Sequence, residues 1–362
     1  MSDSRSVTSA GGARAPVAAT PSYSTASFGR LQIFHPISLL VLVASFAITS
    51  FVVDPNLKSV SKVHLTYFNP NDTWLMGYWA VLFILQVGTA LSIAIAATDH
   101  TRALLANGIS MSLPIANFML AIWAPLFIVN KIPAFIAGEV MLGIATVLLT
   151  ISVMVTGVKQ AYGPTWRRPV EWAMIHLPAR MFLAVLLHVD IWQQGLISFG
   201  LAPEGPISSK TIWPSFIIIV SVGLATAMWT FATTDLAFGA AGIYLQLAIL
   251  FSNRVKFDSR PAEVVAAHIL AIVLLSVAIV ASLAWRRVTS RTEGRIALPV
   301  SPHEEAALAQ AELEAQAAER RARSRREEAS RLREGSEATP SQLERGEGGE
   351  EAAPTRKLGS AQ

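Results

Sequence analysis

Residues 81–97 read VLFILQVGTALSIAIAA, a continuous apolar run without a charged side chain. A bilayer core about 30 Å thick is crossed by roughly 20 helical residues, and a chain exposed to lipid must satisfy its backbone polar groups internally, as a helix does. A transmembrane barrel would instead show alternating polarity along shorter strands. The run therefore predicts a membrane-spanning helix.

The same pattern recurs from Pro36 to Trp285. A single run of this kind could be a soluble core helix, but the whole set predicts an all-α, polytopic transmembrane bundle of about eight helices. The break Thr233-Thr234-Asp235 is short, and without a turn there the count becomes seven. The predicted spans are Pro36–Val53, Gly77–Ala97, Ile109–Val129, Ala134–Val155, Pro169–Ser198, Ile212–Ala232, Leu236–Phe251 and Val264–Trp285.

Composition limits the chemistry that this chain can carry. The chain is 52% hydrophobic, has a formal net charge of +4 and contains no cysteine. Disulfides, thiolate nucleophiles and thiolate metal sites are therefore excluded. The motifs G-x-S-x-G, P-loop and H-E-x-x-H are also absent from the sequence. We expect no metal, no cofactor and no nucleic-acid partner.

Two polar segments flank the predicted membrane domain of residues 36–290. Residues 1–35 are rich in Ser and Ala and carry three Arg, which is typical of a mitochondrial transit peptide. Their Gly and Pro residues favour a disordered cytosolic arm instead. Residues 291–362 form a charged tail, which we predict to be helical around 304–334 and disordered beyond.

The tail offers two further interpretations. Leu308, Leu313 and Leu332 are the only large apolar residues of its predicted helix, so a solvated single helix is favoured over a coiled coil. A basic cluster could contact an anionic lipid or a protein partner, although flanking acids favour a solvated charged face. The cluster comprises Arg320, Arg321, Arg323, Arg325 and Arg326.

The distribution of charge predicts the orientation of the bundle. With eight spans both termini lie on one side, and more Lys and Arg residues flank the spans on that side than on the other. The positive-inside rule then places both termini in the cytosol. The only N-glycosylation sequon, Asn71-Asp72-Thr73, falls on the opposite face. If the turn at Asp235 fails to form, the C-terminus changes side.

Ionisable side chains inside spans are costly and mark functional or paired sites. Four lie well inside the ends of the fifth predicted span: His176, Arg180, His188 and Asp190. At 100° per residue three of them share a sector of about 80°, with His188 outside it. This sector should face the bundle interior.

Arg180 and Asp190 are about 15 Å apart along one helix and cannot pair with each other. We predict Glu139 of the fourth span as the partner of Arg180, because short connections make the fourth and fifth helices neighbours. Pro178 frees the carbonyl of Met174 and allows a kink beside Arg180. The candidate ligand-binding or structural polar network is thus Glu139, His176, Arg180, His188 and Asp190.

Two segments, Trp79-Ala-Val-Leu-Phe-Ile-Leu-Gln86 and His176-Leu-Pro-Ala-Arg180, resemble a fungal family of uncharacterised multi-pass membrane proteins classed as a domain of unknown function. The similarity runs from about Trp74 to Trp285. More faintly, the pattern is similar to the tryptophan-rich sensory and translocator proteins, helical bundles that bind tetrapyrroles and sterols. The fungal resemblance implies an endomembrane or plasma-membrane protein and implies no reaction.

Three functions are compatible with the sequence. The leading hypothesis is a membrane protein that binds or transports a small hydrophobic or anionic molecule in a polar pocket around Arg180. The alternative is a membrane-anchored adaptor or structural protein that acts through its cytosolic tail. An intramembrane enzyme is least favoured, because no nucleophile–base or metal constellation is recognisable.

Overall fold

A computed structural model describes residues 23–158, 168–255 and 257–292, together with residues 310, 313, 314, 317 and 321. This part of the chain is nearly all helical and contains no β-strand beyond one isolated bridge between His64 and Gly205. The chain divides into two compact units, Met1–Thr289 and Ser290–Gln362. The prediction of an all-α fold is confirmed for the described residues.

Ten helices make up the described part of the first unit. They are α1 Thr25–Val52, α2 Leu57–Val63, α3 Asp72–Ile95, α4 Asp99–Ile109, α5 Ser112–Ile128, α6 Ile132–Val158, α7 Pro169–Ser198, α8 Ile212–Thr233, α9 Leu236–Leu250 and α10 Ala262–Thr292. Two π-helical segments, Trp172–His176 and Leu186–Asp190, interrupt α7.

Local sequence explains where several helices begin. The hydroxyl of Ser24 accepts a hydrogen bond from the Ser27 amide and caps α1. Asn71 caps α3 in the same way, and Asp235 caps α9. Thr234 adopts the left-handed conformation that ends α8. The predicted turn between the sixth and seventh apolar runs is therefore present.

The predicted count of eight membrane spans is not confirmed. Six helices in the described part of the chain are long and apolar enough to cross a bilayer, and a seventh is obtained if α4 and α5 form one span bent by 46°. The bend lies at Ser110, whose φ of 52° breaks the helix. α9 has 15 residues, about 22 Å at 1.5 Å per residue, and falls short of a 30 Å core.

The boundary of the N-terminal arm also needs correction. The arm was predicted to extend to residue 35, but α1 begins at Thr25, eleven residues before Pro36. The Ser24 cap accounts for the earlier start, and Pro36 is accommodated inside the helix. Residues 1–22 lie outside the described part of the chain.

α7 lies at the centre of the bundle. In its most apolar window 72% of the residues are buried, against 28–39% in the other five long helices. The outer helices therefore leave most of their surface exposed, and α7 is surrounded by protein. This placement explains how one helix can carry four ionisable side chains, since none of them has to face hydrocarbon.

Polar contacts tie the helix ends together. At one end Arg254 and Lys58 pair with Asp72, at 2.7 Å and 3.5 Å. Nearby, Arg260 donates to the Ile249 carbonyl at the end of α9. Burial lowers the pKa of Arg260 to about 10, and Tyr67 opposes this shift. These contacts fix the loop that joins α9 to α10.

The described residues of the tail are helical and exposed. They are Gln310, Leu313, Glu314, Ala317 and Arg321. The rest of the predicted helix, the other four arginines of the basic cluster and the predicted disordered end lie outside the described residues.

Candidate functional site

A cavity of about 630 Å³ lies between α3, α7 and α9, with a contribution from α10. This volume falls within the roughly 300–1,000 Å³ of pockets that bind one small molecule. Most of the side chains around it are apolar. The cavity is thus large enough for a ligand and suited to an apolar one.

One face of α9 forms a smooth wall of the cavity. Ala237, Ala240, Ala241 and Tyr244 follow the spacing i, i+3, i+4, i+7, so they lie on the same side of the helix. From Ala237 to Tyr244 this wall extends about 10 Å along the helix axis. This wall of the cavity therefore runs parallel to the helices.

The cavity opens sideways between α3 and α9. Its floor consists of the buried residues Tyr78, Met181 and Ala241, where the Tyr78 hydroxyl donates to the Met181 carbonyl at 2.6 Å. Its rim is exposed and belongs to the apolar part of both helices, where the surface of a bundle faces lipid. The rim residues are Gly77, Val81, Ala240 and Tyr244.

Polar groups gather at one end of the cavity. Thr234 and Asp235 come from the α8–α9 turn, Trp172 lies near the beginning of α7, and Arg286 lies near the end of α10. All of them are near helix ends on one side of the bundle. The remainder of the wall, toward Tyr244, is apolar.

Behind this polar end, Asp235 forms an ion pair with Arg180 of α7. Arg180 Nε donates to Asp235 Oδ2, and the other carboxylate oxygen accepts from the Phe238 amide at 3.3 Å. Asp235 therefore both caps α9 and binds the Arg180 guanidinium. The Arg180 and Asp235 side chains are only 1% and 4% exposed. Arg180 Nη1 donates to the His176 carbonyl at 3.1 Å and to its Nδ1 at 3.3 Å.

The predicted pairing of Arg180 with Glu139 is wrong. The carboxyl of Glu139 lies beside Gly195, 3.6 Å from where a Cβ on that glycine would stand. Gly195 is 15 residues from Arg180 along α7, about 22 Å. α6 and α7 do pack together, but as antiparallel neighbours they bring Glu139 to the opposite end of α7 from Arg180.

The prediction about Pro178 is confirmed in its local detail. Pro178 has no N–H to offer the Met174 carbonyl, and Thr89 of α3 donates its hydroxyl to that oxygen instead, at 2.5 Å. The first π-helical segment of α7 ends two residues before the proline. A neighbouring helix thus supplies the missing hydrogen bond, as membrane helices with proline require.

His188 belongs to a different polar network, away from the cavity. Its Nδ1 accepts from the Gln246 amide at 3.0 Å, and its Nε2 contacts the Thr226 hydroxyl at 3.3 Å. His268 Nδ1 contacts Gln246 Oε1 at 2.6 Å. All four side chains are buried. The chain of contacts joins α8, α7, α9 and α10 through hydrogen bonds rather than through charge.

The five predicted site residues are all inside the bundle, but they do not form one pocket. His176 and Arg180 lie behind the polar end of the cavity, and His188 belongs to the separate network. Asp190 Oδ2 and Glu139 Oε2 are buried and have no hydrogen-bond partner among the described residues. None of the five lines the cavity, whose contributions from α7 are Trp172, Leu177 and Met181.

Part of what was missed has a signal in the sequence. Asp235 follows directly after an apolar run, and this position made it a candidate partner for Arg180 as well as a turn residue. Gln246 and His268 are polar residues within apolar runs, a pattern that indicates buried hydrogen bonds. The alanine face of α9, formed by Ala237, Ala240 and Ala241, carries no comparable signal, because a cavity depends on how neighbouring helices pack.

The residues of the described part include no group of three or more His, Cys, Asp or Glu that could hold a metal ion. No family model, curated protein or solved structure matches the chain. The resemblance to a fungal membrane family stays a prediction, and the function has to be argued from the geometry of the cavity.

Proposed function

We propose that this chain is a multi-pass membrane protein that binds a lipid-soluble small molecule in the cavity between α3, α7 and α9. The single observation that carries the proposal is a cavity with apolar walls, an exposed rim on α3 and α9 and polar groups at one end. Pockets that bind one small molecule combine an apolar wall with a few polar groups that fix the ligand's orientation.

The buried ion pair supports the proposal. Removing two charges from water costs several kcal/mol per ion, and apolar residues of similar size often stabilise a protein equally well. Arg180 and Asp235 are therefore poorly explained by packing alone. Their position beside the polar end of the cavity suits the recognition of a ligand's polar group.

Lipidomics of the purified protein tests this function. Ala240 lies on the cavity rim, so Ala240→Trp should place an indole across the opening. Wild-type protein extracted with its native lipids should carry a co-purifying molecule that the variant lacks. Ala225→Trp is the matched control, because Ala225 is an exposed alanine of α8 away from the cavity. Equal recovery from both variants would rule out this cavity as the site.

We also propose that both termini lie in the cytosol and that the protein resides in an endomembrane or the plasma membrane. Although α9 is short, it returns the chain to the end of the bundle where α3 begins. The contact that supports this is the hydrogen bond from the Asn71 amide to the Ala248 carbonyl, at 2.7 Å. Contact of the tail with an anionic lipid or a protein is the alternative function. Deleting residues 291–362 would abolish that function and leave ligand recovery unchanged.

A further inference from the structure

This inference rests on the proposed function and concerns the class of ligand. We propose that the ligand is a single-chain lipid with an anionic head group. It lies parallel to the helices, with its head at the Asp235 end of the cavity and its chain along the alanine face of α9.

The shape of the cavity supports a lipid in this orientation. The lining runs along the helix axes, is apolar toward Tyr244 and is polar at Thr234, Asp235 and Arg286. A lipid within one leaflet has the same polarity, with its chain along the bilayer normal and its head at the interface. The sideways opening lets such a molecule enter from the bilayer without crossing water.

The volume favours one chain over two. The cavity measures about 630 Å³, within the range for one small ligand. Ala237, Ala240 and Ala241 offer a smooth surface with no bulky side chain, and a linear chain can contact it along its length. A second chain of the same lipid would have to stay outside, beyond the rim.

Charge at the polar end favours an anionic head. Arg286 lines the polar end of the cavity, and Arg180 lies behind that end, paired with Asp235. Both oxygens of that carboxylate are already engaged, by Arg180 and by the Phe238 amide. A cationic head would have to compete with Arg180 for Asp235, whereas an anionic head beside Arg286 would leave that ion pair intact. The beginning of α9 adds the positive end of its helix dipole.

A carboxylate and a phosphate monoester share this chemistry, so either a fatty acid or a lysophosphatidate could supply the ligand. Photoreactive probes can separate them. We would use a diazirine-bearing palmitic acid, the corresponding alcohol and amine, and a diazirine-bearing lysophosphatidic acid. Each would be offered to the full chain in phosphatidylcholine nanodiscs, with cross-linked peptides identified by mass spectrometry.

The expected result is labelling of residues 77–81 and 237–244 by at least one anionic probe. It should be saturable and about tenfold tighter than labelling by the alcohol, because a charge-assisted contact is stronger than a neutral one. Arg286→Gln should reduce affinity for the anionic probe about tenfold. Arg286→Lys should retain most of it. Arg287→Gln is the matched control and should change nothing, since Arg287 does not line the cavity.

The other outcomes separate this inference from the proposed function. Equal labelling by acid, alcohol and amine, or strongest labelling by the amine, would overturn the anionic head group. If Ala240→Trp still abolished that labelling, the cavity would remain the binding site. Labelling that Ala240→Trp and Ala225→Trp affect equally would overturn both proposals. Comparing the probes on the wild-type protein decides the head group, even if Arg286→Gln does not fold.

Discussion

At the residue scale, Arg180 connects the cavity to the packing of the bundle. Its burial and inward direction could be predicted from the sequence, because an arginine facing lipid is costly and its helix has one polar sector. Its partner could not be read from one helix, since pairing depends on the register between helices. The positions of the two residues along their helices did, however, argue against a pair between Glu139 and Arg180. Glu139 is 19 residues before the end of α6 and Arg180 is 11 residues after the start of α7, a mismatch of about 12 Å between antiparallel neighbours.

The ion pair leads to a prediction about stability. Arg180→Ala should lower the free energy of unfolding by about 3–5 kcal/mol, because it leaves the Asp235 carboxylate buried and unpaired. The double variant Arg180→Ala/Asp235→Ala should be more stable than the sum of the single changes predicts. Denaturant-induced unfolding in detergent measures both effects. Adding Glu139→Gln to Arg180→Ala should restore nothing, and recovery there would contradict the observed pairing.

A second residue, Thr89, has a role that follows from Pro178. Thr89→Val removes the hydroxyl that satisfies the Met174 carbonyl, and an unpaired buried acceptor costs about 1–3 kcal/mol. We expect a corresponding loss of stability in thermal unfolding, with Thr89→Ser close to wild type. If Pro178→Ala is introduced as well, the Met174 carbonyl regains a backbone donor and the cost of Thr89→Val should shrink. An unchanged cost in that background would argue against this role.

At the scale of the elements, the apolar runs predicted the helices well but not their continuity. Long runs such as residues 81–97 became helices close to the predicted bounds, because lipid forces the backbone to bond internally. The break at Ser110 and the two π-helical segments of α7 were not predicted. Such features depend on contacts between helices. Beside the break at Ser110, for example, the Ser152 hydroxyl of α6 donates to the Gly108 carbonyl at 3.0 Å.

Close packing of α8 on α10 gives a prediction at this scale. A Cβ on Gly223 would lie 2.6 Å from Ala271 Cβ and 3.1 Å from its Cα, so Gly223→Ala must push the helices apart at a cost of about 1–3 kcal/mol. Gly143→Ala is the control, because nothing lies within 4 Å of the added Cβ and alanine is the better helix former. Thermal unfolding should show a loss for the first variant and none for the second. Equal losses would mean that α8 and α10 do not approach this closely.

At the scale of the whole molecule, the central position of α7 decides which charges the membrane can tolerate. The sequence predicted a helical bundle with a polar fifth span. The described residues form six or seven helices long and apolar enough to cross a bilayer, and the fifth predicted span, α7, carries buried ionisable side chains. The sequence-based prediction overestimated the number of full-length spans. Hydropathy identifies α9 as an apolar run, but the helix has only 15 residues. The sequence could not predict the cavity, which depends on how α3, α7 and α9 pack against one another.

Topology provides a test at this scale. If α9 returns the chain across the bundle, both termini lie on one side, and the basic helix ends place that side in the cytosol. Tags at both ends should then be digested by protease added to the cytosolic face of sealed vesicles. Protection of the C-terminal tag alone would show that α9 does not carry the chain back across the bundle.

The central claim is that the cavity between α3, α7 and α9 holds a lipid-soluble molecule. The most direct measurement is a cryo-electron microscopy map of the protein in discs of its native membrane. We expect continuous density along Ala237, Ala240 and Ala241 that broadens into a head beside Asp235 and Arg286. α3 packed against α9 with the cavity closed, or an open cavity containing only disordered bilayer lipid, would contradict it.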